Sequence, residues 1–284
     1  MLATNSLLIK LEDEVVSVQI NLPGKGEDTL SRNRELQTVG ELMGKSWKGN
    51  IPASIPMLPK EISINYFFNV PSVKQSIEAG KLPLALSKET TEVINYDYKN
   101  TEYFVIMDDT YEQREGIQKV LSEDLKRMSL ESTILDIEDD NEISGFDTVI
   151  SNQEIDEYLT WLVGEIKERK QALSSIQEEL LIYIPNVEKL NSLILEKDFK
   201  FILREAHKVG VYLLFHGNQQ NLEKVFGNPL IDILRTNIPA GAVSTKIIEQ
   251  QFIKAKGTYK EENLSPSELN FFKGRNVTRG QVIL

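Results

Sequence analysis

Two stretches of the chain invite comparison with phosphate-binding loops. The first is Gly40-Glu41-Leu42-Met43-Gly44-Lys45-Ser46. A loop of the form G-x-x-x-x-G-K-[ST] holds phosphates because its glycines let backbone N–H groups converge on the oxygens, while the Lys supplies charge. Here the spacing is one residue short. The residues from Leu30 onward also pattern as a helix, whereas such a loop follows a strand. The expectation is a helix from Leu30 to Trp47, capped by Gly44 or Gly49. The second stretch is Asp108-Asp109-Thr110-Tyr111-Glu112-Gln113-Arg114-Glu115-Gly116. It lies between a buried-strand pattern and a helix pattern, where a phosphate loop belongs. It keeps Gly116 but has no Gly-Lys-Ser/Thr. Asp108 and Asp109 place two carboxylates where a triphosphate would sit, and like charges repel. Thr110 and Gln113 fit a capping box, and the two Asp residues complement the helix dipole. The chain is expected to supply its own anion at this helix start.

Phosphoryl transfer also needs a carboxylate at the end of a neighbouring strand, to hold Mg²⁺ and poise water. The matching strand is Leu180-Leu181-Ile182-Tyr183-Ile184, a continuous apolar run that reads as a buried central strand. It ends in Pro185 and Asn186. Proline cannot ligate a metal, and asparagine is a weak Mg²⁺ ligand and a poor base. Glu178 and Glu179 stand at the wrong end of the strand. The acidic run Asp136-Ile137-Glu138-Asp139-Asp140 with Glu142 lacks EF-hand spacing and reads as a solvated loop. His207 and His216 are the only histidines and there is no cysteine, which excludes thiol catalysis, disulfides and a His-rich metal site. His207 falls late in a helix, where it would favour the dipole. Arg204 or Arg235 could reach a neighbouring site, as could any exposed Arg.

The elements that would position these residues alternate between strand and helix. Residues 1–22 read as a hairpin, Ser6 to Leu11 and Val15 to Leu22, joined by Glu12-Asp13-Glu14. Pro23-Gly24-Lys25-Gly26 breaks the structure. Pro52, Pro56 and Pro59 make an extended linker, followed by the aromatic triplet Tyr66-Phe67-Phe68. Strands are expected at Leu82–Leu86, Thr91–Asp97, Glu102–Met107, Ser132–Glu138, Phe146–Ile150, Val211–Phe215, Ala240–Ser244 and Gly280–Leu284. Helices are expected at Tyr111–Met128, Asn152–Gln177 (opened by a Ser151/Glu154 capping box), Val187–Leu195 and Lys197–Val209, the last capped by Gly210. Leu222–Leu234 is partly helical, interrupted at Gly227-Asn228-Pro229. This order predicts an α/β fold with a P-loop NTPase-like, mostly parallel sheet and helices on both faces. A β-hairpin and a Pro-rich linker precede it.

The formal net charge of the 284 residues is −11, with 26% charged and 40% hydrophobic residues. An acidic surface argues against nucleic acid or anionic lipid as the main partner, because phosphate contacts need clustered Lys and Arg. No apolar run is long enough to span a bilayer.

Four stretches carry a family resemblance. They are Ile55-Pro56-Met57-Leu58-Pro59-Lys60-Glu61-Ile62, then Lys81-Leu82-Pro83-Leu84-Ala85-Leu86-Ser87-Lys88-Glu89, then Leu180 to Asn186, and Val209-Gly210-Val211-Tyr212-Leu213-Leu214-Phe215. They resemble the C-terminal part of the EssC/YukB/EccC family, membrane-anchored FtsK/SpoIIIE-type ATPases of type VII secretion that carry several ATPase-like modules in tandem. The likeness covers essentially the whole chain, and none of its motifs is a catalytic signature. It implies that 1–22 is the tail of a preceding module, 23–80 a helix and linker, and 81–284 the last module, with a degenerate P-loop. It also implies a cytoplasmic location at the inner face of the membrane through the parent protein.

The resulting expectation is a non-catalytic module that docks secreted substrates or regulates neighbouring modules of the same chain. No cofactor is expected. The resemblance implies WXG-type helical proteins or toxin–chaperone complexes as partners, read through short C-terminal signals. Candidate contacts are Tyr66, Phe67, Phe68, Val225, Phe226, Phe271 and Phe272, with an apolar groove receiving a helix. Two alternatives stand beside it: a module that binds or hydrolyses Mg·ATP at a divergent site, and a purely structural oligomerisation piece.

Overall fold

The computed structural model describes residues 6–11, 14–19, 28–46, 57–128, 130–139, 145–172, 178–253 and 263–284. The chain divides into two compact units, residues 1–55 and 56–284.

In the first unit, β1 (Ser6–Leu11) and β2 (Glu14–Gln19) pair antiparallel, with Leu11 opposite Glu14. The hairpin is the expected one, though Glu14 belongs to the strand. Glu12, Asp13 and Ile20–Leu22 lie outside the described residues, as do Pro23–Gly26. Helix α1 (Thr29–Ser46) begins at Asp28, whose Oδ1 accepts the N–H groups of Leu30 and Ser31 at 2.8 Å each. The helix runs through Gly44, so the expected cap does not form there. One interior glycine costs only about 1 kcal/mol against alanine, too little to end a helix unaided. Gly49 lies outside the described residues.

The second unit opens with α2 (Ile64–Asn69) and α3 (Pro71–Glu78), in a stretch that sequence patterning assigns to the connection. Phe67, Phe68 and Val73 bury against Leu86, Val120 and Ile283, which ties both helices to this unit. There follow β3 (Leu82–Ser87), β4 (Val93–Tyr96), β5 (Phe104–Asp108), α4 (Tyr111–Met128), β6 (Glu131–Asp136), β7 (Thr148–Ser151) and α5 (Ile155–Gln171). Then come β8 (Leu180–Ile184), α6 (Glu196–Glu205), β9 (Val211–Asn218), α7 (Gln219–Lys224), α8 (Pro229–Thr236), β10 (Ala240–Val243), β11 (Glu268–Lys273) and β12 (Asn276–Gln281).

The strands form one mixed ten-stranded sheet, ordered β4-β3-β12-β11-β10-β5-β9-β8-β6-β7. From β10 to β7 every pair is parallel, and from β10 back to β4 every pair is antiparallel. Alternate residues of each central strand feed opposite cores. Val105, Met107, Ile182, Ile184, Leu213 and Phe215 pack under α5, α6 and α8. Phe104, Ile106, Leu181, Tyr183 and Leu214 pack under α4. The expected helices on both faces are therefore present.

Two local expectations fail. Val187–Leu195 forms a single 3₁₀ turn, Val187–Lys189, and then extends. The turn ends because Leu190 is extended (φ −62°, ψ 110°), and Asp156 takes the N–H of Leu193 at 2.8 Å. The last strand is Asn276–Gln281, paired with β11 through the two-residue turn Gly274-Arg275, where Gly274 (φ 61°) supplies the left-handed step. The Ser151/Glu154 capping box and the left-handed Gly210 cap (φ 76°) form as expected.

Candidate functional site

The carboxyl ends of β5, β9 and β8 lie side by side in the sheet, with α4 starting just after β5. In an open α/β sheet this is where ligands bind. The residues gathered here are Asp108 from β5, Arg114 from α4, His216 and Asn218 from β9, Tyr183 from β8, and Asn186 and Glu188 from the turn after β8.

Asp108 is 1% exposed. The Arg114 fork grips it twice, Nε to Oδ2 at 2.6 Å and Nη2 to Oδ1 at 3.1 Å. Bidentate charge-assisted pairs of this kind are among the strongest polar contacts in proteins. Asn218 Nδ2 donates to Asp108 Oδ1 at 3.3 Å, and His216 Nε2 lies 2.9 Å from Oδ2. Tyr183 Oη and His216 Nδ1 share a hydrogen bond of 2.8 Å below them. Arg114 Nη1 also donates to Asn186 Oδ1, and Nη2 stands 4.0 Å from Glu188 Oε1. Glu188 Oε2 accepts the N–H of Asn218 at 3.2 Å. A Cβ on Gly217 would stand 2.7 Å from that oxygen, so the glycine makes room for the carboxylate.

Burial pushes the Asp108 carboxyl up, but His216 and Arg114 outweigh it and hold it below the usual aspartate range. Burial lowers the Arg114 pKa, and Asp108 more than restores it. Burial raises the Tyr183 phenol. The site is a buried, ionised pair with its hydrogen bonds largely supplied from within.

The helix start is likewise served internally. Thr110 Oγ1 accepts the N–H of Gln113 at 3.3 Å, which is half of the expected capping box. The other half is displaced by one residue. Gln113 Oε1 takes the N–H of Asp109 at 3.0 Å, while its Nε2 donates to the Pro266 carbonyl at 2.7 Å. Asp109 is exposed and accepts from Gln220 Nε2 at 3.0 Å, and Tyr111 is exposed. Gly116 stands well inside α4, where a Cβ would meet the Ile283 carbonyl oxygen at 1.9 Å. It is a docking notch for the C-terminal segment, not a phosphate glycine.

Pro185 and Asn186 end β8 as expected, and both are buried. Arg114, Glu188, His216 and Asn218 were not legible as site residues. The signal was the polar His216-Gly217-Asn218 triplet closing an apolar strand. His207 stands late in its helical segment, as expected; burial lowers its pKa, and its Nδ1 has no hydrogen-bond partner among the described residues.

The partner candidates separate. Phe67 (1% exposed) and Phe68 are core residues of the α2–α3 layer. Phe271 and Phe272 are buried in opposite cores, as adjacent residues of a strand must be. Val225 is half-buried against the α5–α8 core. For Phe67, Phe68, Phe271 and Phe272 these are corrections with a common cause: an aromatic pair outside a clear period is still driven inside by its area once a strand or short helix forms there. Tyr66 (43%) and Phe226 (37%) remain exposed. The Arg235 guanidinium lies 4.0 Å over the Phe226 ring.

A groove of about 860 Å³ opens at the amino ends of the parallel strands, lined by Tyr98, Lys99, Glu131, Asp147, Glu178 and Glu179. It lies at the opposite end of the strands from Asp108. Among the described residues no helix is long and apolar enough to cross a membrane, and no cluster of acidic, His or Cys side chains could hold a metal.

The strand order β10-β5-β9-β8-β6, with a helix leaving the end of β5, gives a P-loop NTPase-like, mostly parallel sheet. No protein-family model matches the chain. It is similar to EssC: identity to the type VII secretion system protein EssC of Staphylococcus aureus (strain MRSA252) is 22% over 276 residues, 94% of this chain and 18% of that protein. The chain thus spans less than a fifth of the length of the curated relatives it matches. EssC (ATPases 2 and 3) of Geobacillus thermodenitrificans superposes with a TM-score of 0.67 at 20% identity, over 98% of this chain and 55% of that one. EccC (ATPases 2 and 3) of Thermomonospora curvata, solved in complex with a signal sequence peptide, superposes with a TM-score of 0.61 at 14% identity, over 95% and 51%.

Proposed function

We propose that the chain is a non-catalytic ATPase-like module of a type VII secretion motor, which docks secreted substrates or regulates neighbouring ATPase modules at the inner face of the cell membrane. One observation supports the reading: the Arg114 guanidinium grips the buried Asp108 carboxylate at the carboxyl end of β5, just before α4 begins. Mg·ATP does not fit the residues present. The expected lysine is absent, the helix-start amides of Asp109 and Gln113 are bound by side chains, and the arginine is spent on a buried aspartate. Placing a triphosphate there would break a buried ion pair, at a cost of about 3–5 kcal/mol. The EccC complex with a signal sequence peptide supports the docking half. Tyr66 and Phe226 are the contacts left for it by their exposure.

Calorimetry with Mg·ATP on the folded chain tests the reading. No heat is the expected result, and micromolar binding overturns it. One observation favours a second reading, a divergent Mg·ATP site: Glu188 brings a carboxylate to the end of β8 that the strand itself lacks. Its oxygens face the Asn218 amide and Arg114, so it would have to be released first. Measurable nucleotide affinity abolished by Glu188→Gln would establish that alternative.

A further inference from the structure

We propose that Arg114 is an internal substitute for bound nucleotide, tying the carboxyl ends of β5, β8 and β9 to the start of α4 so that this module holds one arrangement with nothing bound. The inference rests on the reading that the site does not take nucleotide. In a P-loop protein, phosphates, metal and the loop lysine span the strand ends and the first helix turn, and those elements come together through the ligand. Here one side chain reaches all of them. Its planar fork takes both oxygens of Asp108 and the side chain of Asn186, and stands beside Glu188. Glu188 holds the backbone of Asn218, and Asn218 returns to Asp108. The contacts close a ring through β5, α4, the β8 turn and β9.

The geometry of a fork matters to this ring. A lysine at the same position would bring one point charge and could not grip Asp108 twice while reaching Asn186. Asn186 is held left-handed, a conformation asparagine tolerates better than most residues, and it turns its amide oxygen toward the guanidinium. The ring is continuous with the rest of α4. Gln113 ties the helix start to Pro266 before β11, and Gly116 receives the carbonyl of Ile283 after β12. A change at Arg114 therefore reaches the C-terminal hairpin through one rigid helix.

The test is hydrogen exchange on the full chain, without nucleotide. Arg114→Met should speed exchange at residues 185–190 and 216–220 at least tenfold more than in β6 and α5, whose rates rise only with the global loss of stability. The double variant D108N/R114M removes both charges and should stay fast, because the bridge to Asn186 and Glu188 is still missing. Wild-type rates in the double variant would reduce Arg114 to a counter-ion for Asp108 and overturn the proposal. Uniform acceleration across the sheet would do the same. Should Arg114→Met fail to fold, Arg114→Lys carries the test: its local exchange should rise several-fold, and an unchanged rate sinks the idea. Mg·ATP calorimetry on the wild type judges the non-catalytic reading separately, so failure of one is distinguishable from failure of the other.

Discussion

Asp108 and Asp124 are both fully buried, one just before α4 and one in its second half, and their pKa values move in opposite directions. Asp108 meets Arg114, His216 and Asn218 and is held below the ordinary aspartate value of 3.8. Neither oxygen of Asp124 has a hydrogen-bond partner among the described residues, and burial pushes its carboxyl well above that value. Arg127 is one turn away, but it lies 4.3 Å over the Phe68 ring and reaches Glu123 at 3.5 Å. Burial raises the pKa of both acids, and the partners reverse the direction at only one. One end of the helix thus holds a fixed ionic ring, while the other buries an acid whose oxygens have no hydrogen-bond partner among the described residues.

Breaking the paired end should give the largest effect. Arg114→Met leaves Asp108 without its principal counter-charge and should cost about 3–5 kcal/mol in urea unfolding. A loss under about 1 kcal/mol would mean that His216 and Asn218 suffice. The pH dependence has a definite sign. Asp108 is depressed in the fold, so its contribution is present above about pH 4 and is lost as pH falls through the folded value. The variant should show a smaller acid-side loss, because His216 still lowers the Asp108 carboxyl.

The helix between the two acids is pinned by the C-terminal segment, and Gly116→Ala tests the pin. A Cβ 1.9 Å from a backbone carbonyl oxygen cannot be absorbed by a side-chain rotation. The change should cost up to about 3 kcal/mol in thermal or urea unfolding, as overpacking does. Gly164→Ala in α5, where nothing lies within 4 Å, should instead stabilise by about 1 kcal/mol.

At the unpaired end the sign reverses. Asp124→Asn keeps the shape and removes the ionisation, and should stabilise the chain at pH 7 by about 1 kcal/mol. The raised folded value means that unfolding releases a proton above the ordinary aspartate value of 3.8, so the wild type loses stability as pH rises from there. The advantage of the variant should shrink toward zero near pH 4. An equal advantage at both pH values would show that Asp124 stays charged, with a partner beyond the described residues.

The two ends of α4 were unequally legible. The span Tyr111–Met128 was read residue for residue, because its apolar stripe and its position after a buried strand both mark it. Asp108 was recognised as an internal anion from its place alone. Its partner was not: Arg114 lies on a helix where a basic residue is unremarkable, and its contact Asn186 is distant in sequence. Glu188 was hidden by the helix expected from Val187, since the extended Leu190 that ends it after one turn is a backbone property with no periodic signature. Asp124 was invisible for the opposite reason, because an acid inside an amphipathic helix is assumed to face water. The C-terminal hairpin was half-seen. Gly274-Arg275 gives it a tight turn, but adjacent phenylalanines at 271 and 272 mask the alternation that a strand with one wet face would show.

The smallest effect sharpens the comparison most, because it holds distance constant. Glu115 and Lys119 lie one turn apart on the outer face of α4 with Nζ to Oε1 at 2.8 Å, close to the 2.6 Å of the Arg114–Asp108 pair. Their side chains are 46% and 55% exposed. Water screens both charges, and holding two long side chains in register costs entropy, so such a pair is worth about 0.3–0.5 kcal/mol. Glu115→Gln should change stability by no more than about that amount, and the change should vanish in 1 M salt. The loss from Arg114→Met should persist at the same salt, because the buried pair is not reached by the ions. If the two substitutions cost the same, or if salt erased both, the ring at the end of β5 would be an ordinary surface contact and its role as an internal ligand would fall with it.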